Sequence, residues 1–172
     1  MIQLVTPSNI KSLQTICHTA YTEHFGNHWE EGGLDIYLKE EFNLERLQKE
    51  VTHPSKAYYF IQDGEDKVGF IKINFQAELA LFPQATCCEL EKIYILPDQA
   101  GRGIGKRALQ EIINICREKA SKAIFLYVID TNEAARLFYV KLGFKQNGTG
   151  RLNAPLFKEE LRGMYRMILT LS

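Results

Sequence analysis

The sequence has no excess of charge of either sign: 21 lysines and arginines balance 21 aspartates and glutamates over 172 residues. That balance argues against a chain whose main task is coating nucleic acid or an anionic membrane, and leaves any basic patch a local one. No run of about 18 apolar residues occurs, so no membrane-spanning helix is expected. Met1-Ile2-Gln3-Leu4-Val5-Thr6 lacks the basic stretch and long apolar core of a secretion signal, and the expected location is the cytoplasm. Cysteine is sparse: Cys17, Cys87, Cys88 and Cys116 form no CxxC pair. The cysteine spacings of zinc and redox sites are therefore missing, no metal is expected, and buried free thiols in a reducing compartment fit best. Linkers rich in proline or glycine, internal repeats and low-complexity tracts are also lacking, so residues 1–172 read as one domain.

What is present is a globular composition, 45% hydrophobic and 24% charged. A chain of this size buries about 70% of its unfolded surface, and needs neither disulfides nor a structural metal to stay folded. Residues 2–6 suit a first strand. Ser8 or Asn9 can cap a helix whose apolar residues Ile10, Leu13, Ile16, Cys17, Ala20 and Tyr21 recur on one face, ending near Gly26. A short helix over 36–41 follows, then one opened by Asn43 and stopped before Pro54. The aromatic and β-branched runs 57–61 and 68–75 flank Asp63-Gly64-Glu65-Asp66 as an antiparallel hairpin, and 86–95 continues the sheet.

Between Gly101 and Ala120, Ile104, Ala108, Leu109, Ile112, Ile113, Ile115 and Cys116 follow a 3.6-residue period, which predicts an amphipathic helix. Residues 124–129 are apolar throughout, as in a parallel strand covered on both faces. A last helix over 132–142 closes at Gly143. A long connection over 147–161 could cover a site. A final strand over 162–171, if exposed, would offer an edge for a homodimer.

The chemistry begins at Leu96-Pro97-Asp98-Gln99-Ala100-Gly101-Arg102-Gly103-Ile104-Gly105-Lys106, a glycine-rich turn between a strand and an amphipathic helix. Glycines let backbone N–H groups approach an anion closely, and the helix N-terminus adds free donors and a positive dipole end, so this turn reads as a phosphate cradle. Arg107 stands where a P-loop would place Ser or Thr for magnesium, and Lys106 breaks the dinucleotide GxGxxG. Nucleoside triphosphates and nicotinamides both lose support.

With this loop, and with Tyr127-Val128, Asn132-Glu133-Ala134-Ala135-Arg136-Leu137-Phe138-Tyr139 and Leu142-Gly143-Phe144 after it, the sequence resembles the GNAT superfamily of acetyl-CoA-dependent N-acetyltransferases. Gly101 to Gly105 match the body of that family's Q/R-x-x-G-x-G/A pyrophosphate loop. The first position of the pattern falls on Ala100, with Gln99 one residue early. The resemblance implies an α/β fold with a mixed, mostly antiparallel sheet of six to seven strands, flanked by about four helices and splayed between the fourth and fifth strands. It also implies acetyl-CoA as cosubstrate. Ile93, Tyr94 and Ile95 would offer backbone groups to the pantetheine arm, and Gly101, Arg102, Gly103, Ile104, Gly105 and Lys106 would hold the pyrophosphate. Asn132 would meet the pantetheine or its phosphate end and Lys141 the nucleotide phosphates, although an Asn at a helix start also serves as a cap, and a late Lys favours the helix dipole.

Transfer of an acetyl group from a thioester to an amine needs a base, because an alkylamine with pKa about 10 is protonated at neutral pH. Glu89 and Glu91, two apart on one strand, point to one face just before the cofactor segment, and either suits that role. Backbone N–H groups near Ile93 could stabilise the oxyanion. Tyr139 matches the family's general-acid tyrosine, which reprotonates the leaving thiolate. No histidine adjoins Cys87 or Cys88 to activate a thiol, which favours direct transfer in a ternary complex.

The acceptor is expected to be a small cationic amine. Residues 1–50 carry eight acids against four bases, while 100–122 carry six bases against two acids, so an acidic acceptor side faces a basic nucleotide side. The segments Tyr21-Thr22-Glu23-His24-Phe25, Tyr37-Leu38-Lys39-Glu40-Glu41-Phe42 and Leu90-Glu91-Lys92-Ile93-Tyr94-Ile95 resemble the bacterial PaiA-type polyamine acetyltransferases. On that resemblance His24, Trp29 and Tyr37 would line the acceptor groove through hydrogen-bond and cation-π contacts. Acetylation of a protein or peptide amine, and a non-enzymatic acetyl-CoA sensor, are the alternatives.

Overall fold

The apolar and aromatic runs within 56–77 build two long strands of a seven-stranded sheet, buried on both faces. A computed structural model, which describes residues 1–171, runs β1 (Ile2–Leu4), α1 (Ile10–Phe25), α2 (Gly33–Glu41), α3 (Leu44–Val51), β2 (Lys56–Asp63), β3 (Asp66–Ala77), β4 (Cys87–Ile95), α4 (Ile104–Glu118), β5 (Ala123–Ile129), α5 (Glu133–Lys141), β6 (Lys145–Arg151) and β7 (Gly163–Thr170). The strands lie in the order β1-β2-β3-β4-β5-β7-β6. Neighbours are antiparallel except β4 and β5, which run parallel. This is the mixed, mostly antiparallel sheet expected, with five α-helices among the described residues rather than about four.

Local sequence explains most elements. The six apolar residues on one stripe of α1 are its buried residues. Asn43 opens α3 by accepting from the Arg46 amide at 2.8 Å. Strand β2 is buried on both faces: Tyr58 and Phe60 join the core beneath α1 and α3, whereas Tyr59 and Ile61 join the one beneath α4. Burying six apolar residues of α4, at about 1.5–3 kcal/mol for each large side chain, docks that helix on the sheet.

Two expectations are corrected. The stretch 147–161 is not one long connection, because β6 occupies its first part and pairs with β7. The final strand is consequently internal, held between β5 and β6, and the free edges belong to β1 and β6. Lys145-Gln146-Asn147-Gly148-Thr149-Gly150-Arg151 has little strand propensity, and pairing with an established neighbour decides its conformation.

The feature that shapes the site is a gap in the sheet. Strands β4 and β5 pair only at Cys88–Ile124 and Glu89–Phe125, then separate. On the other side of β4 the ladder slips where they part: Lys72 faces Lys92, but Ile73 faces Leu90, which leaves Glu91 as the extra residue of a β-bulge. A bulge bends its strand and steepens the local twist, so it swings the end of β4 away from β5.

Candidate active site

The gap opens into a cleft of about 630 Å³ whose floor is Leu90 to Tyr94 of β4 and whose far wall is Tyr127 to Ile129 of β5, with Asn132, Ala135 and Tyr139 at the start and middle of α5. Past Glu89 the β5-facing edge of β4 has no strand partner among the described residues. The Leu96 amide donates to the Val68 carbonyl on the β3 side, so by the alternation of an antiparallel ladder Ile93 and Ile95 turn their backbone groups to the open side. The Ile95 carbonyl there lies 2.7 Å from His24 Nε2 of α1. An extended chain carrying amides could pair with this edge as an added strand.

Beyond Ile95 the chain makes a short turn over Pro97–Gln99 and enters α4 through two left-handed glycines, Gly101 (φ 77°) and Gly103 (φ 73°). Among the described residues, none of the amides of 101–106 donates to a protein acceptor. Six free donors at the positive end of a 15-residue helix fit a pyrophosphate. A Cβ at Gly105 would meet Ile95 Cδ1 at 2.9 Å, so this glycine lets the helix start close against β4. Arg102 is directed elsewhere: its guanidinium reaches Asp63 at 2.7 Å and Gln99 at 2.6 Å, tying the loop to the β2–β3 hairpin. Lys106 is exposed at the loop. Asn132 caps α5 by accepting from the Ala135 amide at 3.1 Å. Lys141 is exposed at the far end of α5 and does not line the cleft.

The two glutamates separate in character. Glu91 Oε2 lies 2.7 Å from Lys72 Nζ. Glu89 has no hydrogen bond or ion pair among the described residues, is half-buried and lines the cleft. Burial, then the charge of Glu91, raises its carboxyl above the ordinary range against the opposing pull of Lys72, Lys92 and Lys56. Tyr139 reaches the same cleft from α5, its ring 5.2 Å from Phe138 and 5.7 Å from Phe144. Burial raises its phenol well above the ordinary value, so it keeps its proton at neutral pH. Cys87 and Cys88 are fully buried and neither lines the cleft.

The remaining wall is aromatic. Tyr21 stacks on Tyr37 at 4.4 Å, Trp29 lies 5.0 Å from Tyr37, and Phe157 meets Trp29 edge-on at 5.0 Å. His24, Trp29 and Tyr37 therefore all line the cleft, together with Phe25 and Tyr94. Leu152 to Ala154 and Phe157, from the segment after β6, cover one side, and Phe157 bridges to Trp29 through the backbone. Sequence reasoning overlooked Phe157 and Arg151, whose only sequence signal was the unusual length of that segment.

The acidic surplus of residues 1–50 is partly consumed inside the molecule. Lys72 and Lys92 hold Glu41 at 3.7 and 3.0 Å, and Lys72 and Lys56 hold Glu50 at 2.9 and 3.3 Å. The expected acidic acceptor face is thus weaker than the count suggests, and Glu89 is the cleft carboxylate left without a counter-ion among the described residues. Also among the described residues, no helix is long and apolar enough to cross a membrane.

The chain has relatives among known proteins. A spermidine N(1)-acetyltransferase of Thermoplasma acidophilum is 23% identical over 152 residues, covering 86% of this chain and 89% of that protein. The N-alpha-acetyltransferase RimI of Mycobacterium tuberculosis is 29% identical over 105 residues, 61% of this chain and 62% of its own. The fold is shared with the crystal structure of a PaiA N-acetyltransferase from Thermoplasma acidophilum in complex with coenzyme A, at TM-score 0.80 and 19% identity over 99% of this chain and 98% of that one. Residues 15–144 match the acetyltransferase (GNAT) family, and the chain belongs to that family of acetyl-CoA-dependent N-acetyltransferases.

Proposed function

We propose that residues 1–172 act as one N-acetyltransferase domain that transfers the acetyl group of acetyl-CoA to a primary amine of a small cation, a polyamine foremost, by direct attack in a ternary complex. The observation that carries this reading is the pairing, across one aromatic-walled cleft, of an unpaired carboxylate of raised pKa with a buried phenol. The pantetheine arm lies along the open edge of β4 at Ile93 to Ile95, and the pyrophosphate on the amides of 101–106. Glu89 takes a proton from the ammonium, directly or through one water. The free amine attacks the thioester carbon, and the Ile93 amide stabilises the oxyanion. Collapse breaks the C–S bond, Tyr139 O–H gives its proton to the departing sulfur, and the proton that the amide nitrogen sheds restores the phenol.

A carboxylate without a counter-ion attracts the ammonium, and the rings of Tyr21, Trp29 and Tyr37 offer cation-π contacts to a second charge along the chain. The Thermoplasma relative named for spermidine supports the same class.

One observation favours a second reading. The Mycobacterium tuberculosis relative is named for N-alpha-acetyl transfer, which points to a peptide amine as acceptor. Release of free thiol from acetyl-CoA, measured with spermidine, spermine, short diamines, amino acids and peptides, distinguishes the two. Turnover selective for polyamines sustains the proposal, turnover restricted to peptides transfers it to the second reading, and acetyl-CoA binding without turnover on any acceptor overturns both.

A further inference from the structure

Lys72 is the most deeply buried charge of the fold, 1% exposed at the centre of β3. Burying an ammonium costs several kcal/mol unless it is well paired. Here three carboxylates from three elements meet it: Glu91 of β4 at 2.7 Å, Glu50 of α3 at 2.9 Å and Glu41 of α2 at 3.7 Å. The Tyr58 hydroxyl of β2 donates to the other oxygen of Glu50 at 2.6 Å. Two features connect this centre with the cleft. Lys72 stands at the register slip, and it binds the side chain of Glu91, the residue that the β3–β4 ladder leaves out. Glu91, held in this way, lies two residues from Glu89 and is one of the charges that Glu89 feels.

We propose that Lys72 is a positioning residue of acetyl transfer: by clamping Glu91 it holds the β4 bulge that opens the slot between β4 and β5, and it fixes the charge environment in which Glu89 takes its proton. The inference rests on the reading of Glu89 as the base. The charged groups that face Glu89 are Glu91 and Lys92 from its own strand, Lys72 from β3 and Lys56 from β2. Glu41, Glu50 and Arg46 stand behind them, joined to the same ion-pair network, and the phenols of Tyr94 and Tyr139 line the cleft.

The test is the acidic limb of kcat/KM against pH, read alongside KM for acetyl-CoA. A base must be unprotonated to act, so activity rises through its pKa. Lys72→Met removes the cation that favours carboxylate, and the limb moves to higher pH by on the order of one unit. Glu91→Gln removes a like charge while keeping a hydrogen-bond partner for Lys72, and the limb moves to lower pH by a similar amount. The double variant Lys72→Met/Glu91→Gln brings the limb back toward its original position. Lys72→Met also raises KM for acetyl-CoA, because the slot loses its clamp. Loss of packing alone would not displace the limb in opposite directions, and Glu91→Gln decides the matter if Lys72→Met does not fold. Limbs that stay in place, or move the same way in both single variants, overturn the proposal. Glu89→Gln separates the two levels: a limb that survives in that variant overturns the assignment of the base and this inference with it. A limb that vanishes there yet is unmoved in the Lys72 and Glu91 variants overturns this inference alone.

Discussion

Replacing Tyr139 with phenylalanine removes one oxygen atom from the wall of the cleft and leaves the ring between Phe138 and Phe144. The hydroxyl has no hydrogen-bond partner among the described residues, so its loss leaves no buried group newly unsatisfied and costs about 1 kcal/mol of stability or less. The chemical cost is larger. Without the phenol the thiolate must leave unprotonated or take its proton from water, and loss of a positioned general acid lowers kcat about 100-fold or more, equivalent to about 2.7 kcal/mol in the barrier. The substitution leaves the free amides of 101–106 in place, so KM for acetyl-CoA stays near its original value. Burial raises the phenol above the ordinary tyrosine value, and an acid must carry its proton to act. Tyr139 therefore imposes no alkaline limb below about pH 10. The assay is free-thiol release with separate kcat and KM, accompanied by a thermal melt. A Tyr139→Phe enzyme that melts with the wild type and keeps kcat within about threefold of it would refute the assignment.

Gly103→Ala places an L-residue at φ 73°, where the added Cβ meets only Arg107 Nη1 at 3.5 Å, so the penalty is conformational rather than steric. Strain of about 1–2 kcal/mol at the cradle raises KM for acetyl-CoA roughly tenfold with little change in kcat, and an unchanged KM contradicts the cradle. For Glu50, burial pushes the carboxyl up, but the hydrogen bonds from Tyr58 and Lys72 and the charges of Lys72 and Lys56 outweigh it and bring it from 4.5 to about 2. A depressed folded-state value stabilises above the unfolded value and is lost as pH falls through the folded one. About 3 kcal/mol should disappear between about pH 4.5 and about pH 2, and Tm measured across that window should fall more steeply for the wild type than for Glu50→Gln. Parallel curves would remove Glu50 from the acid-sensitive network.

Much of the site was legible because its parts are local. A glycine turn leading into an amphipathic helix declares a ring of free amides wherever it occurs, and the six unbonded N–H groups of 101–106 are those the spacing of Gly101, Gly103 and Gly105 implied. The place of Tyr139 on α5 follows the helical period in the same way. Residues meeting from distant segments were not legible. Phe157 reaches Trp29 across more than half the chain, and no pattern near either residue announces the partner.

The sequence by itself determined the helices, the central strands, the glycine turn with its free amides and the family motifs, because capping, periodicity and backbone freedom act over a few neighbouring residues. Only the tertiary structure decided that Glu91 is bound to Lys72 while Glu89 faces the cleft unpaired, that Glu41 and Glu50 are neutralised inside the fold, and that β6 rather than β7 forms the edge. Each depends on how segments distant in sequence pack or pair. Two glutamates spaced alike on one strand become different acids when a single bulge sets one against a buried lysine contributed by the neighbouring strand.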